Sequence, residues 1–366
     1  MRGDVRRVLG VLSVAVCLGL AGCSSSPTPS TPSSTSAGSG SATGPGSATT
    51  GPAPSGCTVS DKGVPSCGVL WGLATKPPTA AGVKAVESAV GRPFDFVYRY
   101  HDLNDEIPDA AEKAQVAAGK LLHISIAARD FAAAGGAKTG WAPVAAGTFD
   151  ASLTAQAKGI AALKSPVFVT FEQEANQKNK LATLGSPGDF KAAWRHVHDL
   201  YVKAGATNVS WVWVMTGSAD NLDAAAQLWP GNDVVDWISW NVYNQSGCAS
   251  DSINAAKLVS FEDKMKVFYD FAHTRGPSFG MDASKPMMIS ETGSAKYPDQ
   301  PDLTAQWYAA IPGVLAKYPQ IKAVGLWNSV DGTCDYQFST LPAAVTAVAS
   351  AGRESAVQSG LPLTTP

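Results

Sequence analysis

The chain has 366 residues and a formal net charge of −2, with 28 lysines and arginines against 30 aspartates and glutamates. The basic residues form no run or stripe, so the charge pattern gives no reason to expect a nucleic acid as partner. Hydrophobic residues make up 45% of the chain, which is enough to build a large core.

The first segment, residues 1–23, is typical of an export signal. Arg2, Arg6 and Arg7 precede the apolar run VLGVLSVAVCLGLAG, which is too short to span a bilayer. The run ends in LAGC, which resembles the bacterial lipobox, whose cysteine becomes the lipidated first residue of the mature protein. Ordinary cleavage beside a chance cysteine is the alternative. We expect a secreted lipoprotein held by Cys23 on the extracellular face of the cell membrane.

A tether follows the signal segment. Residues 24–56 are only Ser, Thr, Pro, Gly and Ala, with no charge and no large apolar side chain to bury. The folded domain is predicted at 57–355, and a flexible tail at 356–366. We expect this domain to be a monomer.

After residue 56, short β-rich runs alternate with longer Ala-rich helical patterns, which is typical of a parallel sheet wrapped by helices. The predicted strands are 67–75, 94–100, 121–128, 166–174, 208–215, 235–243, 286–293 and 321–328. Eight such units predict a (β/α)8 TIM barrel. An open doubly wound sheet has the same local pattern but commonly carries a Gly-rich phosphate loop after its first strand, and none is present here.

In a barrel of this kind, function belongs at the carboxyl ends of the strands. Polar and aromatic residues lie at those ends here: Arg99 and His101 on the second strand, Glu172, Gln173 and Glu174 on the fourth, Asn241 and Tyr243 on the sixth, Glu291 on the seventh and Trp327 on the eighth. For Arg99 and His101, substrate contact and structural support are both open.

Two of these residues, Glu174 and Glu291, are the candidate catalytic pair. Carboxyls at the ends of strands four and seven face each other across the barrel mouth, and such pairs hydrolyse glycosides. One protonates the departing oxygen, while the other attacks the sugar carbon or stabilises its charge. No cofactor is needed for this chemistry, and no trustworthy metal-ligand spacing is present. A single strand-terminal glutamate would more often be a solvated or ion-paired residue.

Three segments, WRHVHDLYVKAGATNVSWVW (194–213), WPGNDVVDWISWNVY (229–243) and KPMMISETG (285–293), resemble glycoside hydrolase family 26, the β-mannanase family. The resemblance implies that Glu174 is the acid/base and Glu291 the nucleophile of a retaining enzyme. It also implies that Tyr243 lies beside the nucleophile and that Trp327 forms the floor of the sugar site.

The sequence departs from the family pattern at two of its site positions. Gln173 replaces the histidine usual before the acid/base, and Asn241 replaces an aspartate two residues before the tyrosine. A tryptophan that often follows the acid/base is also missing from QKNKLATLG. An amide can still hydrogen-bond a sugar hydroxyl, so we expect Gln173 and Asn241, with Arg99 and His101, to contact substrate.

Glu172 poses a separate question. Alternation along strand four would place it on the face of Glu174 and one layer deeper, where an unpaired carboxylate is costly. We expect it to form a structural ion pair with Arg99. The alternative is that Glu172 is itself the catalytic acid.

Four cysteines remain after the signal segment, and in an oxidising compartment they should pair. Cys57 and Cys67 lie before or at the first strand, at the bottom of the barrel, whereas Cys248 and Cys334 follow strands six and eight, at the top. Because a disulfide bridges Cα atoms less than about 7 Å apart, we predict Cys57 with Cys67 and Cys248 with Cys334.

Two functions from different classes fit the sequence. The first is a lipid-anchored glycoside hydrolase that cleaves β-glycosidic bonds in a polysaccharide or its oligosaccharides, with β-mannan, β-1,3-xylan and β-glucan as candidate substrates. The second is a carbohydrate-binding lipoprotein that keeps the sugar cleft but has lost turnover. Gln173 and Asn241 favour the second, whereas retention of Glu174 and Glu291 favours the first.

Overall fold

A computed structural model describes residues 56–131, 137–248, 258–297, 299–359 and 361. The predicted export signal with Cys23, and the tether up to residue 55, lie outside the described residues. Within the described part, no helix is both long enough and apolar enough to cross a membrane.

Eight parallel strands close into a barrel in which each strand pairs with the next and the eighth pairs with the first. The strands are Leu70–Thr75, Phe96–Asp102, Leu121–Ala127, Val167–Phe171, Val209–Thr216, Trp237–Asn244, Met287–Ser294 and Ile321–Asn328. The α-helices of this part are α1 (Ala80–Val90), α2 (Ala110–Ala117), α3 (Trp141–Ala145), α4 (Asp150–Leu163), α5 (Lys178–Leu184), α6 (Pro187–Lys203), α7 (Leu222–Gln227), α8 (Phe261–Thr274), α9 (Pro301–Lys317) and α10 (Pro342–Ala351). The predicted (β/α)8 barrel is confirmed, and the open sheet is excluded.

Shorter elements complete the described part. Single 3₁₀ turns lie at Ala219–Asn221, Gly276–Phe279, Phe338–Thr340 and Ser355–Val357. Two small antiparallel hairpins stand at the carboxyl ends of the strands: Arg129–Asp130 pairs with Ala137–Lys138 after strand three, and Val330–Asp331 pairs with Cys334–Asp335 after strand eight. Both hairpins therefore belong to the rim of the barrel mouth.

The barrel interior changes from apolar to polar along the strands. Its lower layer is one buried cluster: Leu70, Phe96, Leu121, Phe168, Val212, Val214, Trp237, Met288 and Ala323. Above this cluster, Tyr98 stacks on His123 with ring centroids 3.9 Å apart, and His123 Nε2 lies 2.9 Å from Thr170 Oγ1. A larger cluster fills the space between the strands and the helices. Within the described barrel interior, polar side chains thus become more frequent toward the end where a site is expected.

Helix α6 illustrates how local sequence sets the element boundaries. Ser186 caps its first turn and forms a reciprocal capping box with Asp189, and Pro187 occupies the first helical position, where no backbone N–H donor is needed. The helix ends at Lys203, and Gly205 follows with φ of +83°, a conformation that glycine adopts without strain. Ser186 and Gly205 thus mark the two ends of this helix.

Both predicted disulfides are present, one at each end of the barrel. Cys57 and Cys67 have Cα atoms 5.5 Å apart, and the segment between them covers the lower opening, where the Trp237 indole N–H donates to the Lys62 carbonyl at 2.8 Å. Cys248 and Cys334, with Cα atoms 4.6 Å apart, join the segments that follow strands six and eight.

The predicted boundary of the tail at residue 356 is wrong. Val357 is fully buried and Ser359 is almost so, and the Ser359 hydroxyl donates to Asp95 Oδ2 at 2.9 Å. Leu361 packs on the apolar cluster inside the barrel. These residues therefore cover the lower end of the barrel: Leu361 contributes an apolar side chain, and Ser359 contributes the hydrogen bond to Asp95. Residues 360 and 362–366 lie outside the described part.

Strand seven contains a bulge at Ser290. Trp240 pairs with Ile289, but the next residue of strand six, Asn241, pairs with Glu291, so Ser290 is an extra residue. The register against strand eight shifts at the same place. Gly325 on strand eight permits this, because a Cβ there would lie 2.3 Å from the Ser290 carbonyl oxygen.

This close approach predicts a specific steric cost. Gly325→Ala should lower the free energy of unfolding by about 1–3 kcal/mol, because backbone on a neighbouring strand cannot move aside as a flexible side chain can. Gly313→Ala is the matched control, since that glycine lies in α9 with no atom within 4 Å of the added carbon. It should be neutral or stabilise by up to about 1 kcal/mol. Denaturant unfolding of both variants measures the difference; equal effects would contradict the steric account.

Candidate active site

The turn after strand four positions the first candidate residues. The strand ends at Phe171, and Glu172 and Glu174 take φ of 52° and 55°, in the left-handed region. The Glu172 N–H still donates to Ile126 on strand three and the Glu174 N–H to Val214 on strand five, both at 2.8 Å. Each left-handed residue costs about 1–2 kcal/mol, a strain typical of functional sites.

Glu174 is held at the barrel mouth by two amides. The Asn241 Nδ2–H donates to its Oε1 at 3.1 Å, and the Gln177 amide donates to its Oε2. Burial raises the pKa of Glu174, and the nearby carboxylate of Asp331 raises it further, while the Lys180 ammonium and the Asn241 hydrogen bond lower it. The net raised pKa suits a carboxyl that must hold a proton until it donates it.

Glu291 is turned toward the mouth by the bulge at Ser290. Its Oε1 accepts a hydrogen bond from the Tyr100 hydroxyl at 2.7 Å and its Oε2 one from the Tyr243 hydroxyl at 2.6 Å, and the residue is 7% exposed. Burial and the negative charge of Glu174 raise the pKa of Glu291 to about 7, against the two tyrosine hydrogen bonds and the charge of Lys180. The two tyrosine hydroxyls fix the orientation of the Glu291 side chain, which accepts both hydrogen bonds.

Glu172 does not pair with Arg99, so that prediction is wrong. Its Oε1 accepts from Lys180 Nζ at 2.7 Å, and its Oε2 accepts from the Ala128 backbone N–H at 2.8 Å. The cause is the left-handed turn, which ends the regular alternation of strand four at Phe171. Glu172 is fully buried. It forms a structural ion pair, as expected, but with a different partner.

The two predicted substrate-binding amides make contacts within the protein. Gln173 is half-buried, and its Oε1 accepts a hydrogen bond from the Ser125 hydroxyl on strand three. Asn241 donates to Glu174, as described above. The structure therefore brings both amides to the site as supports of the fourth-strand turn.

Arg99 and His101 pair with carboxylates at the start of α2, which favours structural support over substrate contact, the two roles that the sequence left open. Arg99 Nη2 lies 2.7 Å from Asp109 Oδ2, and His101 Nε2 lies 2.6 Å from Glu112 Oε1. Both carboxylates belong to the first turn of α2 or its cap. Since side chains alternate along a strand, Arg99 and His101 face α2 while Tyr100 between them faces the mouth.

Trp327 and Tyr243 are aromatic residues on the Glu291 side of the barrel mouth. The Trp327 ring lies edge-on to Tyr100, with centroids 5.8 Å apart, and is partly exposed. Tyr243 packs against Tyr336 with centroids 5.0 Å apart. The Cys248–Cys334 disulfide lies in the same cluster, so it ties together the segments that follow these two aromatic side chains.

Tyr100, Gln177 and Lys180 are site residues that the sequence analysis did not single out. Tyr100 could have been found from alternation alone, because Phe96, Tyr98 and Tyr100 share one face of strand two. Gln177 and Lys180 lie at the start of α5, just after the turn that follows strand four. The geometry of that turn leaves no periodic pattern in the sequence. Among the described residues, no group of three or more His, Cys, Asp or Glu side chains could hold a metal ion.

The barrel is similar to solved structures of glycoside hydrolase family 26 mannanases. A β-mannanase from Bacteroides ovatus has a TM-score of 0.57 and 17% identity, over 80% of this chain and 90% of that one. The endo-β-1,4-mannanase catalytic domain from Bacillus sp. JAMB-750 has a TM-score of 0.57 and 15% identity, over 79% and 86%. A modular endo-β-1,4-mannanase from Cellulomonas fimi has a TM-score of 0.55 and 17% identity, over 81% and 75%. These enzymes share its fold.

No family model and no curated protein matches the sequence. The resemblance to family 26 seen in the three sequence segments is thus matched by the fold. At these identities the comparison shows the fold and not the chemistry. The chemistry has to be argued from this chain's own side chains, in particular Glu174 after strand four and Glu291 on strand seven.

The buried pair predicts a pH-dependent stability. Since the pKa of Glu291 is raised from 4.5 to about 7 in the folded state, the folded state is favoured while Glu291 is protonated, and that contribution is lost as the pH rises through 7. Relative to Glu291→Gln, the wild type should lose about 3 kcal/mol between pH 4.5 and 7.5.

Thermal or denaturant unfolding across this pH range measures the effect. The control is Glu106→Gln, the same substitution at an exposed carboxylate, and the difference between wild type and Glu291→Gln should change with pH more than the difference between wild type and this control. A Glu291→Gln difference that changes no more than that of the control would contradict the raised pKa.

Proposed function

We propose that the protein is a retaining glycoside hydrolase that cleaves β-glycosidic bonds within a polysaccharide. The observation that carries the proposal is the environment of the two glutamates. Burial raises the pKa of both carboxyls, but their hydrogen-bond donors differ. Glu291 accepts two tyrosine hydroxyls and is set to attack, whereas Glu174 is held by two amides and is set to give up a proton. Carboxyls that differ in this way divide the roles of nucleophile and acid.

The reaction takes two steps. In the first, a Glu291 carboxylate oxygen bonds to the anomeric carbon as the glycosidic C–O bond breaks, and Glu174 transfers its proton to the departing oxygen. In the second, Glu174 takes a proton from water, whose oxygen displaces Glu291 from the sugar. The net retention of configuration follows from two inversions at the same carbon.

The substrate is proposed from the similar structures together with the site. Three of them are described as β-mannanases or endo-β-1,4-mannanases, so β-mannan is the first candidate, with β-1,3-xylan and mixed-linkage β-glucan as alternatives. The Trp327 ring can pack on the apolar face of a sugar next to the bond that is cleaved. A reducing-sugar assay over these polymers and arabinogalactan identifies the substrate.

The two glutamates should fail differently when replaced. Glu291→Ala should lose about 10⁴-fold or more of kcat on every substrate. Glu174→Ala should lose about 10²- to 10⁴-fold on the polysaccharide. On an aryl glycoside whose leaving group needs no proton, Glu174→Ala should still form the glycosyl enzyme, and azide, which needs no base, should restore turnover as a glycosyl azide.

Proton NMR of the first-formed product anomer tests retention, and Glu106→Ala serves as the surface control. An inverted product would contradict the two-step scheme. If the wild type binds oligosaccharides but releases no reducing ends from any of the polymers, the carbohydrate-binding alternative is correct. If Glu172→Ala is folded but inactive while Glu174→Ala is active, the acid has been assigned to the wrong residue.

Export and lipid anchoring are also proposed, from the LAGC motif at Cys23 and the uncharged tether. The mature protein should partition into the detergent phase, and Cys23→Ser should release it or leave it mislocalised. Cys17→Ser is the matched control, because that cysteine lies within the apolar run. Membrane association unchanged in Cys23→Ser would contradict lipidation at this residue.

A further inference from the structure

A buried lysine lies directly behind the glutamate pair. Lys180, on α5, is 8% exposed, and its Nζ donates to Glu172 Oε1 at 2.7 Å and to the Gln173 backbone carbonyl. Gln173 lies between Glu172 and Glu174, the two residues with left-handed backbone conformation. The ammonium group is therefore attached to the same turn that presents Glu174.

The partner of this lysine is itself fixed in place. Glu172 is fully buried, and its second oxygen is occupied by the Ala128 N–H at 2.8 Å. Lys180 and Glu172 together carry no net charge, but their two charges occupy defined positions, so each acts on the site with its own sign. An ion pair removed from water in this way contributes little to stability when both partners are present.

We propose that Lys180 is a positioning residue that adjusts the charge state of Glu291 and Glu174, and that Glu172 limits its effect by holding it behind the turn. Lys180 favours an ionised nucleophile, although Glu291 is buried beside a second carboxyl. Glu172 partly offsets the ammonium, so Glu174 can still retain a proton. This inference rests on the proposed hydrolase function.

The charges around the pair support this role. Lys180 lowers the pKa of both glutamates, whereas Asp331 raises that of Glu174. His123, inside the barrel, is not a competing cation, because burial lowers its pKa to about 3. Other titratable side chains on this side of the described barrel mouth include Tyr98, Tyr100, Tyr243 and Tyr336, whose pKa values are all raised. Lys76 lies 5.8 Å from the centroid of the Trp327 ring.

Opposite substitutions in the ion pair separate a charge effect from structural damage. Lys180→Met removes a positive charge, so the acidic limb of kcat/KM should move to higher pH by about 1 unit or more. Glu172→Gln removes a negative charge, so the same limb should move to lower pH. The double variant should return close to the wild-type profile, and Lys180→Arg should preserve it.

Lys178→Met, at an exposed lysine of the same helix, is the matched control and should shift nothing. If Lys180→Met does not fold, Lys180→Gln replaces it, since the amide still donates to Glu172. Loss of stability that lowers activity without moving the limb, or shifts of the same sign in both single variants, would overturn the proposal.

A second measurement keeps this result separate from the proposed function. In protein carrying ¹³C-labelled glutamate carboxyls, the titrations of Glu174 and Glu291 can be followed by NMR without any substrate. Opposite shifts in Lys180→Met and Glu172→Gln support the charge role even if no glycan is hydrolysed. Absence of such shifts overturns it, even if the wild type is an active hydrolase.

Discussion

The site is organised around two neighbouring carboxyls, the buried Glu291 and the half-buried Glu174, which cannot both be ionised without a cost. Burial and the charge of Glu174 raise the pKa of Glu291 to about 7, and burial and the charge of Asp331 raise that of Glu174. The surrounding groups each reduce this cost on one side: hydroxyl donors at Glu291, amide donors at Glu174 and one ammonium behind them. Such a pair holds one proton over a range of pH and titrates as a unit. A double displacement needs that state, with one carboxylate and one acid.

The backbone irregularities at the mouth serve the same end. The left-handed turn after strand four and the bulge at Ser290 both break a regular strand at the residue that must point inward. A regular strand would direct alternate side chains along fixed lines, and the two glutamates come from strands that are not adjacent. Gly325 makes room for the second irregularity. Local strain is concentrated where the rigid barrel can support it.

Most of the fold, and the placement of Glu174 and Glu291 at the barrel mouth, were predictable from the sequence. Eight short apolar runs separated by capped helices determine the barrel, and both disulfides follow from placing cysteines at its two ends. Strand two shows what the sequence could not predict. Arg99 and His101 were the predicted site residues of this strand, but they face α2, whereas Tyr100 faces inward and contacts Glu291. Lys180 could not be assigned to Glu172, because the left-handed turn that joins them has no periodic pattern. Side-chain direction is least predictable where the backbone leaves regular geometry.

The disulfide at the barrel mouth also affects the stage of maturation at which the site is completed. Cys248 and Cys334 are 86 residues apart in the chain, and their bond joins the segments beyond strands six and eight, on either side of the strand that carries Glu291. In a reducing compartment these segments keep only non-covalent contacts, such as Tyr243 against Tyr336. Closing a loop of this length removes about 4–5 kcal/mol of chain entropy from the unfolded state. A newly made chain would thus reach its full stability only after Cys248 and Cys334 are oxidised, so completion of the cleft depends on a covalent step that follows synthesis.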